Sequence, residues 1–163
     1  MNSAAPNTRY TYGNYTYETD EVARLASIEG AATLKDHRRF VTSGEPNTVA
    51  IGNEGVFEDV GFHAIGNQFD GPINRLNVFP GSGRSITLSD GEVLKNLNLS
   101  RYKVDFENPV AKLIRETGQP VPIRFETIYN KSNMTSRPDA FKASYQQADG
   151  NWREVLFRNK AGG

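Results

Sequence analysis

The chain has no cysteine in its 163 residues, which excludes a disulfide framework and any thiolate metal site. It has two histidines, so imidazole chemistry has few candidates. No apolar run approaches the ~20 residues that a membrane span needs. The opening Met1-Asn2-Ser3-Ala4-Ala5-Pro6 has neither a basic n-region nor an apolar h-region and does not read as a signal peptide. Charge of one sign is also lacking, since 19 Lys+Arg face 19 Asp+Glu. Hydrophobic residues make up 37% and aromatics 10%, above what disorder shows and enough for one domain, expected to span residues 1–163.

The zero net charge hides an asymmetry. Residues 1–74 carry 5 Lys+Arg and 10 Asp+Glu, and residues 75–163 carry the other 14 and 9. A basic second half can meet a polyanion, and an uneven scatter of solvated charge is the plainer reading of the same counts.

Local patterns place the elements. Tyr10-Thr11-Tyr12 and Tyr15-Thr16-Tyr17 flank Gly13-Asn14, which predicts a β-hairpin whose aromatics pair across strands rather than form a base-stacking platform. The residues before it, 1–8, are expected to be flexible. Residues 36–58, broken by Gly44, Pro46, Gly52 and Gly55, read as loop. His37, in Asp36-His37-Arg38-Arg39, matches no motif and is taken as a surface residue. The polar excursion opened by Gly81-Ser82-Gly83 lacks the G-x-x-x-x-G-K-[ST] pattern of a phosphate loop and reads as a flexible insert over 81–95. A helical pattern runs from Leu97 to about Thr117, with Asn108-Pro109 as cap and first turn and Gly118 as stop. Strands return over Val121–Tyr129, Phe141–Tyr145 and Trp152–Phe157. Together these predict one α+β domain, mostly antiparallel, with an N-terminal Tyr-rich hairpin, one main helix and C-terminal strands.

Two stretches carry chemistry: Asp59-Val60-Gly61-Phe62-His63-Ala64-Ile65-Gly66-Asn67-Gln68-Phe69, and Asn77-Val78-Phe79-Pro80 followed by Asn96-Leu97-Asn98-Leu99-Ser100-Arg101-Tyr102-Lys103 and Phe106-Glu107-Asn108. Their order and spacing resemble the DNA/RNA non-specific endonucleases, the ββα-metal nucleases, and most of all the versions that form the C-terminal toxin domain of bacterial polymorphic toxins. In that family the pattern is D-x-G-H, then N-L-V-P, then N-L-N-x-G-x-[WY]-K with an acidic residue beyond. The toxin branch also opens with a Tyr-rich pair followed by Glu-Thr-Asp, here Glu18-Thr19-Asp20, and closes much like Ser136–Lys142 and Asn159–Gly163.

The resemblance implies a ββα-metal nuclease core and a role for each residue. An imidazole, with an ordinary pKa of about 6.5, can take a proton at neutral pH, and His63 stands where the family has its general base. Asp59 would orient that ring or shape the turn. Asn98 matches the metal-ligating amide, which suits Mg²⁺ because that ion keeps most of its waters. Glu107 would accept from those waters, and Arg101 and Lys103 would contact backbone phosphates. The rival reading of Asn98 is a helix N-cap. The implied partners are DNA or RNA, a cognate immunity protein and a parent toxin or secretion-system protein. The implied location is that of a delivered effector acting in the target-cell cytoplasm.

The chain departs from the pattern in several places. Phe62 lies between Gly61 and His63 and reads as an insertion just before the base. Val60 stands where several relatives have Arg, Ser100 replaces Gly, Tyr102 replaces the commoner Trp, and Glu107 lies one residue farther from Asn98 than usual. Phe62 and Val60 are the features that favour an alternative, a nuclease fold that binds nucleic acid or protein without cutting. A second alternative, an interaction domain of a secretion apparatus, rests on the Tyr-rich hairpin alone.

Overall fold

The computed structural model describes residues 4–35 and 45–163; His37 lies outside them. β1 (Arg9–Tyr12) and β2 (Tyr15–Thr19) form the expected hairpin, with Tyr12 opposite Tyr15 and Gly13 at φ 57°. Tyr15 and Tyr17 are buried with their rings edge to face, and the Tyr15 hydroxyl donates to the Phe69 carbonyl at 2.6 Å. These two rings are core residues. Residues 4–8, expected to be flexible, are fastened: the Asn7 N–H donates to the Asp20 carbonyl at 2.9 Å and the Thr8 N–H to Thr19 Oγ1 at 3.0 Å.

β3 (Leu25–Ala32), β8 (Val121–Ile128), β9 (Ala140–Gln146) and β10 (Trp152–Arg158) extend this hairpin into a six-stranded sheet, ordered β1-β2-β3-β8-β9-β10, with every neighbour antiparallel. Alternation decides its faces. Ile28, Ile123, Phe125, Phe141, Ala143, Val155 and Phe157 turn inward, while Glu29, Arg124 and Glu154 turn to solvent. A second hairpin and the helical segment cover the inner face.

That second hairpin pairs β4 (Asp59–His63) with β5 (Val78–Ser82). Its register runs unbroken from Asp59 opposite Ser82 to His63 opposite Val78, so the extra residue Phe62 makes no bulge. A bulge would place two residues against one. Phe62 instead takes an ordinary strand position opposite Phe79, fully buried, with ring centroids 5.1 Å from Phe79 and 5.0 Å from Tyr102.

The loop expected over 36–58 contains a helix, α1 (Glu45–Gly52), with proline in its first turn. The glycines that signalled breaks serve close packing here. A Cβ on Gly52 would lie 2.7 Å from the Gly61 nitrogen, and one on Gly61 would collide with the Thr48 carbonyl. Only glycine on both sides lets helix and strand approach this closely.

Residues 81–95 are also more ordered than expected. Ser82 still belongs to β5, and β6 (Ile86–Thr87) pairs with β7 (Val93–Leu94) in a small exposed arm. The helical stretch is segmented into a 3₁₀ turn at Leu97–Leu99, a π-helical turn at Lys103–Glu107 and α2 (Asn108–Thr117). Asn108, expected as a cap, is helical itself (φ −63°, ψ −46°), and its N–H bonds the Lys103 carbonyl five residues back. The wide turn lies directly before Pro109, which has no N–H to offer the Asp105 carbonyl, so the helix passes through proline by changing its bonding pattern. Gly118 stops it at φ 66°, as expected.

Candidate nuclease site

His63 ends β4, half-buried, on the strand face opposite Phe62. The chain just after it is held from both sides. Asn77, fully buried, accepts from the Ile65 N–H at 2.8 Å and donates to the Ile65 carbonyl at 2.9 Å and the Pro72 carbonyl at 3.0 Å. From the helical side, the Tyr102 hydroxyl donates to the Ala64 carbonyl. Burial pushes that hydroxyl well above its ordinary pKa, with the Glu107 charge adding to the effect, which keeps it a donor.

Glu107 reaches the same segment. A Cβ at Gly66 would collide with its Oε1, and its carboxyl hydrogen-bonds Gln68. Burial raises its pKa; the Gln68 hydrogen bond and the Lys103 charge oppose the rise without cancelling it. The structure therefore brings His63 and Glu107 to the two ends of one four-residue stretch, His63–Gly66.

Asn98 lies in the middle of the 3₁₀ turn and is exposed. Its neighbour Leu97 is fully buried, with Cδ2 3.3 Å from where a Cβ on Gly81 would stand, and so seats the turn on the β4–β5 hairpin. The capping role belongs to Asn96, whose Oδ1 accepts from the Leu99 N–H at 3.2 Å. Among the described residues no hydrogen bond engages the Asn98 carboxamide. Arg101 and Lys103 are exposed beyond it, with Arg101 Nε 2.9 Å from Asp105 Oδ2.

Asp59 stands apart. It is four residues before His63 on an extended strand, a span of about 13 Å. Its carboxylate accepts from the Val56 N–H at 3.0 Å and from Arg137 Nε at 2.6 Å and Nη2 at 3.3 Å. Of the two roles expected for Asp59, these bonds serve the shaping of the turn.

A hairpin ending in His63, bolted to a helical segment bearing Glu107 and preceded by the Asn98 turn, reproduces the motif order read from the sequence. The chain matches the DNA/RNA non-specific endonuclease family over residues 6–149. It belongs to that family. Its fold is similar to the crystal structure of NucA from Streptococcus agalactiae with no metal bound, with a TM-score of 0.58 and 15% identity over 98% of this chain and 75% of that one.

The donor set of this endonuclease family member bears on the divalent cation that the family implies. Among the described residues no group of three or more His, Asp or Glu side chains converges, so a cage of protein carboxylates is not formed. What is present is one exposed, uncommitted carboxamide at Asn98 and one desolvated carboxyl at Glu107. That set fits an ion that keeps most of its water shell, as Mg²⁺ does.

Three positioning residues carried no assigned role in the sequence reading: Asn77, Tyr102 and Gln68. For Asn77 the signal was visible, an amide set among the apolar residues Leu76, Val78 and Phe79, where a buried polar group demands partners. Gln68 gives no comparable signal, because its partner Glu107 is remote in sequence.

Proposed function

We propose that this chain is a metal-dependent endonuclease that hydrolyses phosphodiester bonds of DNA and RNA without regard to sequence, with His63 as general base. The imidazole takes a proton from water as the water oxygen bonds to phosphorus; the bond from phosphorus to the leaving ester oxygen breaks, and that oxygen is protonated from solvent. Asn77 and Tyr102 hold the backbone that aims the imidazole. Asn98 would hold a divalent cation directly and Glu107 through its waters, and the bound ion would supply charge neutralisation at the phosphate. Arg101 and Lys103 contact flanking phosphates.

The observation that carries this reading is the double fastening of the His63–Gly66 stretch, to Asn77 on one side and to Tyr102 and Glu107 on the other. It ties the end of the strand bearing His63 to the segments bearing Asn77, Tyr102 and Glu107, which supports the reading. Phe62, which favoured the non-cutting alternative, is taken up by the core and lends it no support. Supercoiled plasmid and an RNA transcript incubated with Mg²⁺ test the reading: the wild type degrades both, while His63→Ala and an EDTA control leave them intact. No cleavage by the wild type, or undiminished cleavage by the variant, refutes it.

The toxin-branch features, the Tyr-rich hairpin followed by Glu18-Thr19-Asp20 and the closing segments, support a further reading as a delivered antibacterial effector domain. It would act in the target-cell cytoplasm, and the producing cell would be protected by an immunity protein. Inducible expression in a bacterium without that protein arrests growth with the wild type and not with His63→Ala.

A further inference from the structure

The segment that follows β10 folds back onto the turn bearing Asn98. The Gly162 N–H donates to the Lys95 carbonyl at 2.8 Å, and the Gly163 N–H to the Lys160 carbonyl at 3.1 Å. A Cβ at Gly163 would stand 3.1 Å from Ser100 Oγ and 3.7 Å from Arg101 Cβ, and Ala161 of the same segment is buried. The segment bearing Lys160 thus docks on the backbone of Lys95 and against Ser100 and Arg101, at the two ends of the turn that carries Asn98, and all three cations and Asn98 are exposed. Among the described residues, Lys95 and Lys160 form no ion pair with a carboxylate. Arg101 bonds Asp105 only through Nε, and its guanidinium carbon lies 5.9 Å from the centroid of the Phe157 ring.

Cations in an exposed group without carboxylate partners raise the local positive potential, and a phosphodiester backbone is the polyanion that such a group fits. The sequence spacing hides the group, because Lys160 lies 65 positions after Lys95. We propose that Lys95 and Lys160 form a phosphate-binding track next to the Asn98 turn that holds the nucleic-acid backbone. The proposal rests on the nuclease reading for its substrate class. It adds two binding residues, Lys95 just before the Asn96–Lys103 stretch and Lys160 in the segment after β10.

The test is binding of a fluorescently labelled DNA duplex by the whole chain, followed by anisotropy in EDTA from 50 to 200 mM NaCl. Each lost phosphate contact lowers the slope of log K against log salt by about 0.9. Lys95→Gln/Lys160→Gln is expected to flatten the slope by about 1.8 relative to wild type. Lys131→Gln/Arg153→Gln, on exposed cations of other segments, is expected to leave it unchanged. With plasmid and Mg²⁺, the first double variant raises KM and spares kcat at saturating DNA, because neither lysine touches the reacting atoms. An unchanged slope, or an equal flattening in the second double variant, overturns the track. Plasmid cleavage by the wild type reports on the nuclease reading separately. Intact cleavage with an unchanged slope defeats the track alone, and a flattened slope without cleavage defeats the nuclease reading alone.

Discussion

Asn77 grips Ile65 by both of its backbone groups, accepting from the N–H at 2.8 Å and donating to the carbonyl at 2.9 Å. Removing that amide leaves buried peptide groups without partners two residues from the imidazole. Asn77→Ala is expected to cost about 2–4 kcal/mol in stability, from the lost bonds and the unsatisfied groups they leave. Cleavage should fall by more than the folded fraction does, because misplacing a reacting group by about 1 Å can cost 10²-fold. Urea unfolding beside plasmid cleavage by the folded protein measures both effects.

Phe62 offers a sharper test. Removing one residue from a paired strand moves everything on one side of the cut to the other face. Deleting Phe62 restores the family's spacing between Gly61 and His63, yet it should unfold the chain or leave it inactive. Phe62→Ala keeps the register and is expected to cost about 3–5 kcal/mol. Circular dichroism melts of the two variants decide the matter.

Glu107 links stability to pH with a definite sign. Burial raises its folded-state pKa above the unfolded value, so its protonated form favours folding. That stability is fully present below the ordinary carboxylate range and is lost as the pH rises through the folded pKa. Glu107→Gln, which stays neutral, should melt higher than wild type at pH 8, and the two should converge near pH 4. Its cleavage should nevertheless drop about 10–100-fold, the effect typical of groups that support a metal's ligands. Thermal melts across pH give the first result and plasmid assays the second.

Asn98 should show the opposite division. Its side chain is exposed and bonds no described residue, so Asn98→Ala should change stability by less than about 0.5 kcal/mol. Activity at low Mg²⁺ should fall at least tenfold and recover in part as the ion is raised. Wild-type cleavage should stop on chelation and return when Mg²⁺ is restored. Titrating Mg²⁺ for both proteins measures the shift.

The strands and the Tyr-rich hairpin were legible because turn chemistry and alternation act between near neighbours: Gly13 supplies a positive φ, and Tyr15 and Tyr17 alternate with Thr16 and Glu18 on one strand. The motif order was legible for the same reason. The α1 helix was not, because Gly52 and Gly61 signal a break locally and a close contact only when their elements meet. The fate of Asp59 was equally hidden, since its partner Arg137 lies 78 residues away.

By itself, then, the chain's order of residues determined the Tyr-rich hairpin, the C-terminal strands and the main helix, that a mostly antiparallel α+β fold results, and which imidazole, amide and carboxyl stand at the positions of the endonuclease pattern. Folding in three dimensions decided that Phe62 serves the core, that Asp59 shapes a turn through Val56 and Arg137, that Glu107 is desolvated against Gly66, and that the Lys160–Gly163 segment docks on Lys95 through Gly162. Backbone dihedrals and capping depend on a few adjacent residues, whereas burial, ion pairing and local potential depend on which distant surfaces exclude water together.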